Sequence, residues 1–230
     1  MSGVTVEDQS SRGRREEVLN VAAAVFSEKG YRASTIQDIG RELGITSAAL
    51  YYYFTSKQEI LSELIVRPVK QLEAMSAEVA ASDLSNRDKL CEIVHRHIDM
   101  MLTQRDLFTI FLRERVELEP GPAKKLASLE EEYYRKIRHI VEAAERAGEL
   151  RPVNPQLVAL GIIGMTNWVL RWYKPSGSLS RDQIATGLMD IVLGGIFKEP
   201  QGGAKPKGAR KAKPAKAESS AKKPARKALA

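Results

Sequence analysis

Residues 35–54 read Thr-Ile-Gln-Asp-Ile-Gly-Arg-Glu-Leu-Gly-Ile-Thr-Ser-Ala-Ala-Leu-Tyr-Tyr-Tyr-Phe, and recognition chemistry concentrates here. The spacing of Ile36, Ile39 and Leu43, then of Ile45, Leu50 and Phe54, predicts two short helices joined by a tight turn at Gly44, with these six side chains inward. Thr35 and Asp38 have the spacing of a capping box at the start of the first helix. The second helix is left with Thr46, Ser47, Ala48, Tyr51 and Tyr52 outward. Hydroxyls can bond base edges or phosphates, and Ala48 and the tyrosine rings can touch a thymine methyl. The second helix has no Arg or Lys, so it offers no bidentate readout of guanine. The arrangement is a helix-turn-helix, whose second helix enters the DNA major groove. Three adjacent aromatics cannot all face DNA, so Tyr52 is either a contact or a core residue.

Positive charge surrounds this motif unevenly. Arg12, Arg14 and Arg15 precede the first helix and either neutralise phosphates, reach into a minor groove, or form a solvated helix start. The 230 residues carry a net +7, yet residues 201–230 alone hold +9 and residues 1–200 hold −2. The basic character therefore belongs to a Lys/Ala/Pro-rich tail, which cannot pack a core and is expected to be disordered. That tail resembles those of nucleoid-associated proteins and either adds non-specific DNA affinity or only solubilises.

The elements that position these groups are all helical. Val18, Leu19, Ala22, Val25 and Phe26 mark a first helix closed at Gly30. Ser56 and Glu59 form a second capping box, opening a long helix to about residue 80 with a kink or break expected near residue 67, before Pro68. Helices follow from Ser85, around Leu107–Leu112, over 123–147, over 155–173 and from Ser180 to about Phe197, with Glu119-Pro120-Gly121-Pro122 as a turn. The chain reads as all-α with about nine helices: a disordered arm at 1–11, a DNA-binding domain at 12–57, a helical ligand-binding and dimerisation domain at 58–200, and the tail at 201–230.

Residues 14–61 resemble the DNA-binding domain of the TetR/AcrR family of transcriptional regulators. Phe26-Ser-Glu-Lys-Gly30-Tyr31, Thr35-Ile36, Asp38-Ile39, Gly44-Ile45, Leu50-Tyr51-Tyr52-Tyr53-Phe54 and Ser56-Lys57-Gln58-Glu59-Ile60-Leu61 all stand at family positions. The resemblance implies base contacts from the second helix and phosphate contacts from Thr35, Tyr53 and Lys57. It also implies repression as the usual mode of action, and a two-fold dimer built from the last two helices on a palindromic operator.

Residues 155–173 are apolar nearly all round, so that helix needs burial on more than one side. Residues 184–196 add apolar positions with Gly187, Gly194 and Gly195 between them, which fits a close helix–helix interface. Arg171 lies among apolar neighbours, and if buried it needs a partner: Glu114, Glu117 or an anionic ligand. The stretch from Trp168 to Leu179 is similar to actinobacterial family members that sense acyl-CoA thioesters. Arg113 and Arg115, on the helix with Phe108 and Phe111, add to the reading of Arg171 as a ligand contact. Phe108, Phe111, Arg113, Tyr133, Met165, Trp168 and Arg171 are the candidate ligand residues, although aromatics at helical spacing are more often core.

Other chemistry finds no support. His95 and His97 point to different helix faces, His139 is far away, and there is one cysteine, Cys91, so neither a metal site nor an internal disulfide is expected. No phosphate-binding glycine loop or nucleophile motif occurs, so neither an enzyme nor a cofactor is expected. No stretch approaches the roughly 18 apolar residues of a membrane span, and the polar N-terminus and lone cysteine fit a cytoplasmic protein. Two function classes remain: a ligand-responsive repressor, and a nucleoid-type structural DNA-binding protein acting through its tail.

Overall fold

The computed structural model describes residues 6–194, with residues 6–12 by backbone alone. The tail and Phe197 lie outside the described residues. Within them run α1 (Val6–Lys29), α2 (Ile36–Leu43), α3 (Ser47–Tyr53), α4 (Lys57–Ala81), α5 (Asn86–Thr103), α6 (Arg105–Glu114), α7 (Pro120–Arg146), α8 (Pro155–Trp172) and α9 (Arg181–Gly194), with a single 3-10 turn at Arg115–Glu117. The fold is all-α, as the apolar periodicity predicts.

Helices α1 to α3 close over Val18, Leu19, Phe26, Ile39, Leu50 and Phe54, all essentially inaccessible to water. Tyr31 folds back edge-on to Phe26, ring centroids 5.3 Å apart. The turn between α2 and α3 depends on two glycines. Gly44 adopts φ +67°, a left-handed conformation that side chains resist, and a Cβ on Gly40 would stand 2.8 Å from the Ile45 carbonyl oxygen. Helix α4 is the spine of the molecule, packing on α1, α5, α6 and α7. Its Ile60, Leu61, Leu64 and Ile65 are fully buried.

Four local expectations change. Helix α1 starts at Val6, so residues 6–11 of the expected disordered arm are helical. They contain no breaker, and Glu7 and Asp8 suit the positive end of the helix dipole. Helix α4 runs unbroken through Pro68. Proline removes the hydrogen bond to the Leu64 carbonyl, but both residues are buried among packed helices that hold the path. Pro120-Gly121-Pro122 form the first turn of α7, not a separate turn, because first-turn residues need no intrahelical N–H partner. Finally, Ser56 accepts from the Glu59 amide at 3.0 Å, but the Glu59 carboxylate caps Thr55 instead, taking its N–H and hydroxyl at 2.7 Å each.

Candidate nucleic-acid interface and ligand cavity

Helix α3 is held by its buried Leu50, followed by buried Phe54, and this turns the opposite face to solvent. Thr46 is the N-cap: its hydroxyl oxygen accepts from the Ala49 amide at 3.2 Å, which leaves the O–H free to donate outward. Thr46 and Ala48 are exposed and Ser47 is half-buried. Tyr51 is 53% exposed and Tyr52 78%, so Tyr52 is a surface residue and not part of the core. Tyr53 is half-buried, with Tyr52 edge-on to it at 5.0 Å. Two tyrosine rings and four hydroxyl groups, those of Thr46, Ser47, Tyr51 and Tyr52, thus share a surface of α3 that has no cation of its own.

The groups expected on phosphates are already engaged. The Thr35 hydroxyl donates to Asp38 at 2.7 Å and must release that hydrogen to donate elsewhere. This bond, with Lys29 at 3.1 Å, holds the Asp38 carboxyl down at about 2. Arg14 is exposed and paired with Glu17 at 2.6 Å. The Lys57 ammonium donates to the carbonyls of Tyr31 and Ser34, and lies 4.2 Å above the Tyr31 ring. Burial lowers its pKa, and one N–H remains for a phosphate.

Arg15 has the role that sequence reading did not find. It lies 4.0 Å over the Phe54 ring, donates to the Tyr53 carbonyl at 2.8 Å, and pairs with Glu59 and Glu63 at 3.3 and 2.5 Å. It therefore joins α1 to the end of α3 and the start of α4. The only signal in the sequence is the pair Glu59 and Glu63, one helical turn apart.

Five of the seven candidate ligand residues divide between two cavities that share Asn167: Phe111 and Tyr133 in one, Arg113, Trp168 and Arg171 in the other. The first, of about 490 Å³, is lined by apolar side chains including Val69, Leu72, Phe111 and Ile163, with His97, Tyr133 and Tyr134 among them. His97 is the residue that the sequence did not single out for this role: it shares a face of α5 with Ile93, Val94 and Met101. Its Nδ1 lies 2.8 Å from the Tyr133 hydroxyl. Burial pushes the imidazole down to about 3 and the Tyr133 phenol up. Phe108 is buried behind the His97 ring, centroids 6.1 Å apart, as core and not as cavity wall.

The second cavity, of about 590 Å³, brings together Arg105, Arg113, Arg171 and Trp168. Arg105 donates to the Tyr173 and Leu170 carbonyls at the end of α8. Met165 is half-buried and lines neither cavity. Arg171 is exposed and in no ion pair among the described residues, which corrects the expected pairing with Glu114 or Glu117. Glu114 instead accepts from the Tyr31 amide at 3.4 Å, and Glu117 binds Arg32 at 2.8 Å. Trp168 is 62% exposed, and Leu157, Leu160, Trp172 and Ile191 are also exposed on α8 and α9.

Comparison with known proteins gives these surfaces a context. Residues 18–64 match the bacterial regulatory proteins of the tetR family, and residues 83–196 match the tetracyclin repressor-like C-terminal domain. The HTH-type transcriptional repressor KstR2 of Rhodococcus jostii is 31% identical over 85% of this chain and 98% of its own. The chain belongs to the TetR family. It is a DNA-binding transcriptional regulator by that membership, and α2 with α3 is the helix-turn-helix of the TetR family. The structure of the ketosteroid transcriptional regulator KstR2 of Mycobacterium tuberculosis superposes with a TM-score of 0.74 at 30% identity, over 81% of this chain and 96% of that one. AibR, solved in complex with isovaleryl coenzyme A and operator DNA, shares the fold with a TM-score of 0.70 at 23% identity, over 78% of this chain and 98% of its own.

Proposed function

We propose that the protein is a dimeric repressor that binds a palindromic operator and is released from it by an amphipathic anionic effector, an acyl-CoA thioester. The observation that carries this reading is the shared wall at Asn167. An apolar body fits the first cavity, while phosphate groups next to it meet Arg113 and Arg171 and a purine ring meets Trp168. The KstR2 relatives, named as repressors, support the sign of regulation, and AibR holds an acyl coenzyme A on the same fold.

Dimerisation follows from the exposed apolar residues of α8 and α9, a surface a monomer has reason to cover. Release requires that the effector fit better when the two recognition helices stand away from the roughly 34 Å spacing of successive major grooves. Operator DNA and effector then weaken each other by the same factor. The test is operator affinity of the full-length dimer with and without a panel of acyl-CoAs. Affinity that falls with one of them supports the reading; affinity unmoved by every member rejects the effector class.

A further inference from the structure

Two polar atoms at the first cavity are buried without a partner among the described residues: Nε2 of His97 and the hydroxyl oxygen of Tyr134. His97 is 1% exposed. Its Nδ1 is taken by Tyr133, whose hydroxyl has no second partner among the described residues. Two tautomers are open to this pair. If Nδ1–H donates to the phenol oxygen, both the Nε2 lone pair and the phenol hydrogen are left over. If the phenol O–H donates to Nδ1, only Nε2–H is left. The second leaves fewer orphaned groups in a site without water-like surroundings, so Nε2 is the proton carrier.

We propose that His97 determines effector specificity by donating Nε2–H to a neutral carbonyl oxygen on the apolar body of the effector, with the Tyr134 hydroxyl as a second polar contact. This rests on reading the first cavity as the effector site. The oxygen is neutral because Glu131, in no ion pair among the described residues, also lines the cavity and disfavours an anion there, whereas Glu130 beside it is already paired with Arg115 at 2.7 Å. It is a carbonyl because one carbonyl oxygen, with two lone pairs, accepts from both the His97 Nε2–H and the Tyr134 O–H. The imidazole, held neutral by its burial, donates without charge. Val69, Leu72, Phe111 and Ile163 supply the apolar walls against which the hydrocarbon body of the ligand packs.

The test uses the full-length protein labelled with 15N-histidine and two neutral probes, trans-2-decalone and trans-decalin, which differ by one carbonyl. The free protein should carry its His97 proton on Nε2. Decalone should shift that resonance and bind about tenfold tighter than decalin. His97→Phe should bind both probes alike. The inference is overturned if the free protein is protonated on Nδ1, if decalone fails to bind or leaves His97 unshifted, or if the preference survives in His97→Phe. Should His97→Phe not fold, His97→Leu tests the same point: it removes Nε2–H with a smaller side chain and should likewise bind both probes alike. Neither probe contains a thioester or a phosphate, so decalone binding and acyl-CoA release of the operator succeed or fail separately.

Discussion

The Lys57 ammonium stands 2.5 Å from the carbonyl oxygen of Ser34 and clamps the loop between α1 and α2 to the first residue of α4. A residue expected on DNA is thus first of all an internal fastener. Lys57→Met keeps the stem that covers Tyr31 but removes the charge and its hydrogen bonds. It should lower unfolding stability by about 1–3 kcal/mol in denaturant titration. It should also weaken operator and random DNA alike and reduce the salt slope by about one charge. An unchanged stability would return Lys57 to a purely phosphate role.

Tyr51 gives the opposite pattern. Its exposure means that Tyr51→Ala should leave stability within about 0.5 kcal/mol. On the specific operator it should cost about 1–3 kcal/mol, with little loss on random DNA. Equal losses on the two DNAs, measured by fluorescence anisotropy, would show that Tyr51 reads no bases.

His97 makes stability depend on pH. Its folded pKa, about 3, lies below the ordinary value of 6.5, so between these values the unfolded chain binds a proton that the folded one does not. The contribution is therefore complete above about pH 6.5 and is lost as pH falls, by up to about 1.4 kcal/mol per pH unit. In His97→Phe that part of the slope should vanish. Denaturant midpoints at pH 5 and pH 7 for both proteins check it.

Arg171 is exposed and free of ion pairs among the described residues, so Arg171→Ala should fold with wild-type stability. If it meets effector phosphate, acyl-CoA binding should weaken by about tenfold while operator affinity stays constant. Undiminished acyl-CoA binding in this variant would remove Arg171 from the site.

Deleting residues 201–230 should leave the selected operator sequence unchanged. It should lower random-DNA affinity and flatten its salt dependence, because the deleted segment carries +9. A changed operator would mean that the tail reads sequence, and an unchanged random-DNA affinity would make it a solubilising extension.

Much of the DNA-binding half was legible because local signals and tertiary packing agree there. The capping box at Thr35, the left-handed Gly44 and the inward Leu50 and Phe54 each act within a few residues of themselves. The engagement of Arg15 and Lys57 was not legible, since their partners lie 38 to 48 and 23 to 26 positions away in the chain. The C-terminal half was harder for the same reason. Phe111 and Tyr133 line a cavity, yet nothing local in the sequence separates them from Phe108, which is core. Arg171 was read as needing a partner because its neighbours in sequence are apolar. Those neighbours face several directions around a helix, and Arg171 itself faces water.

The fastening by Arg15 has a mechanical consequence. One guanidinium grips the last carbonyl of the reading helix and two carboxylates a turn apart on the spine. Pivoting of α3 alone would break these contacts, so a tilt of the first two turns of α4 is passed on to it through Arg15. If an effector acts on DNA through α4, as proposed, the pliable part of that path lies beyond Glu63, where Pro68 has already removed one rung of the helical ladder.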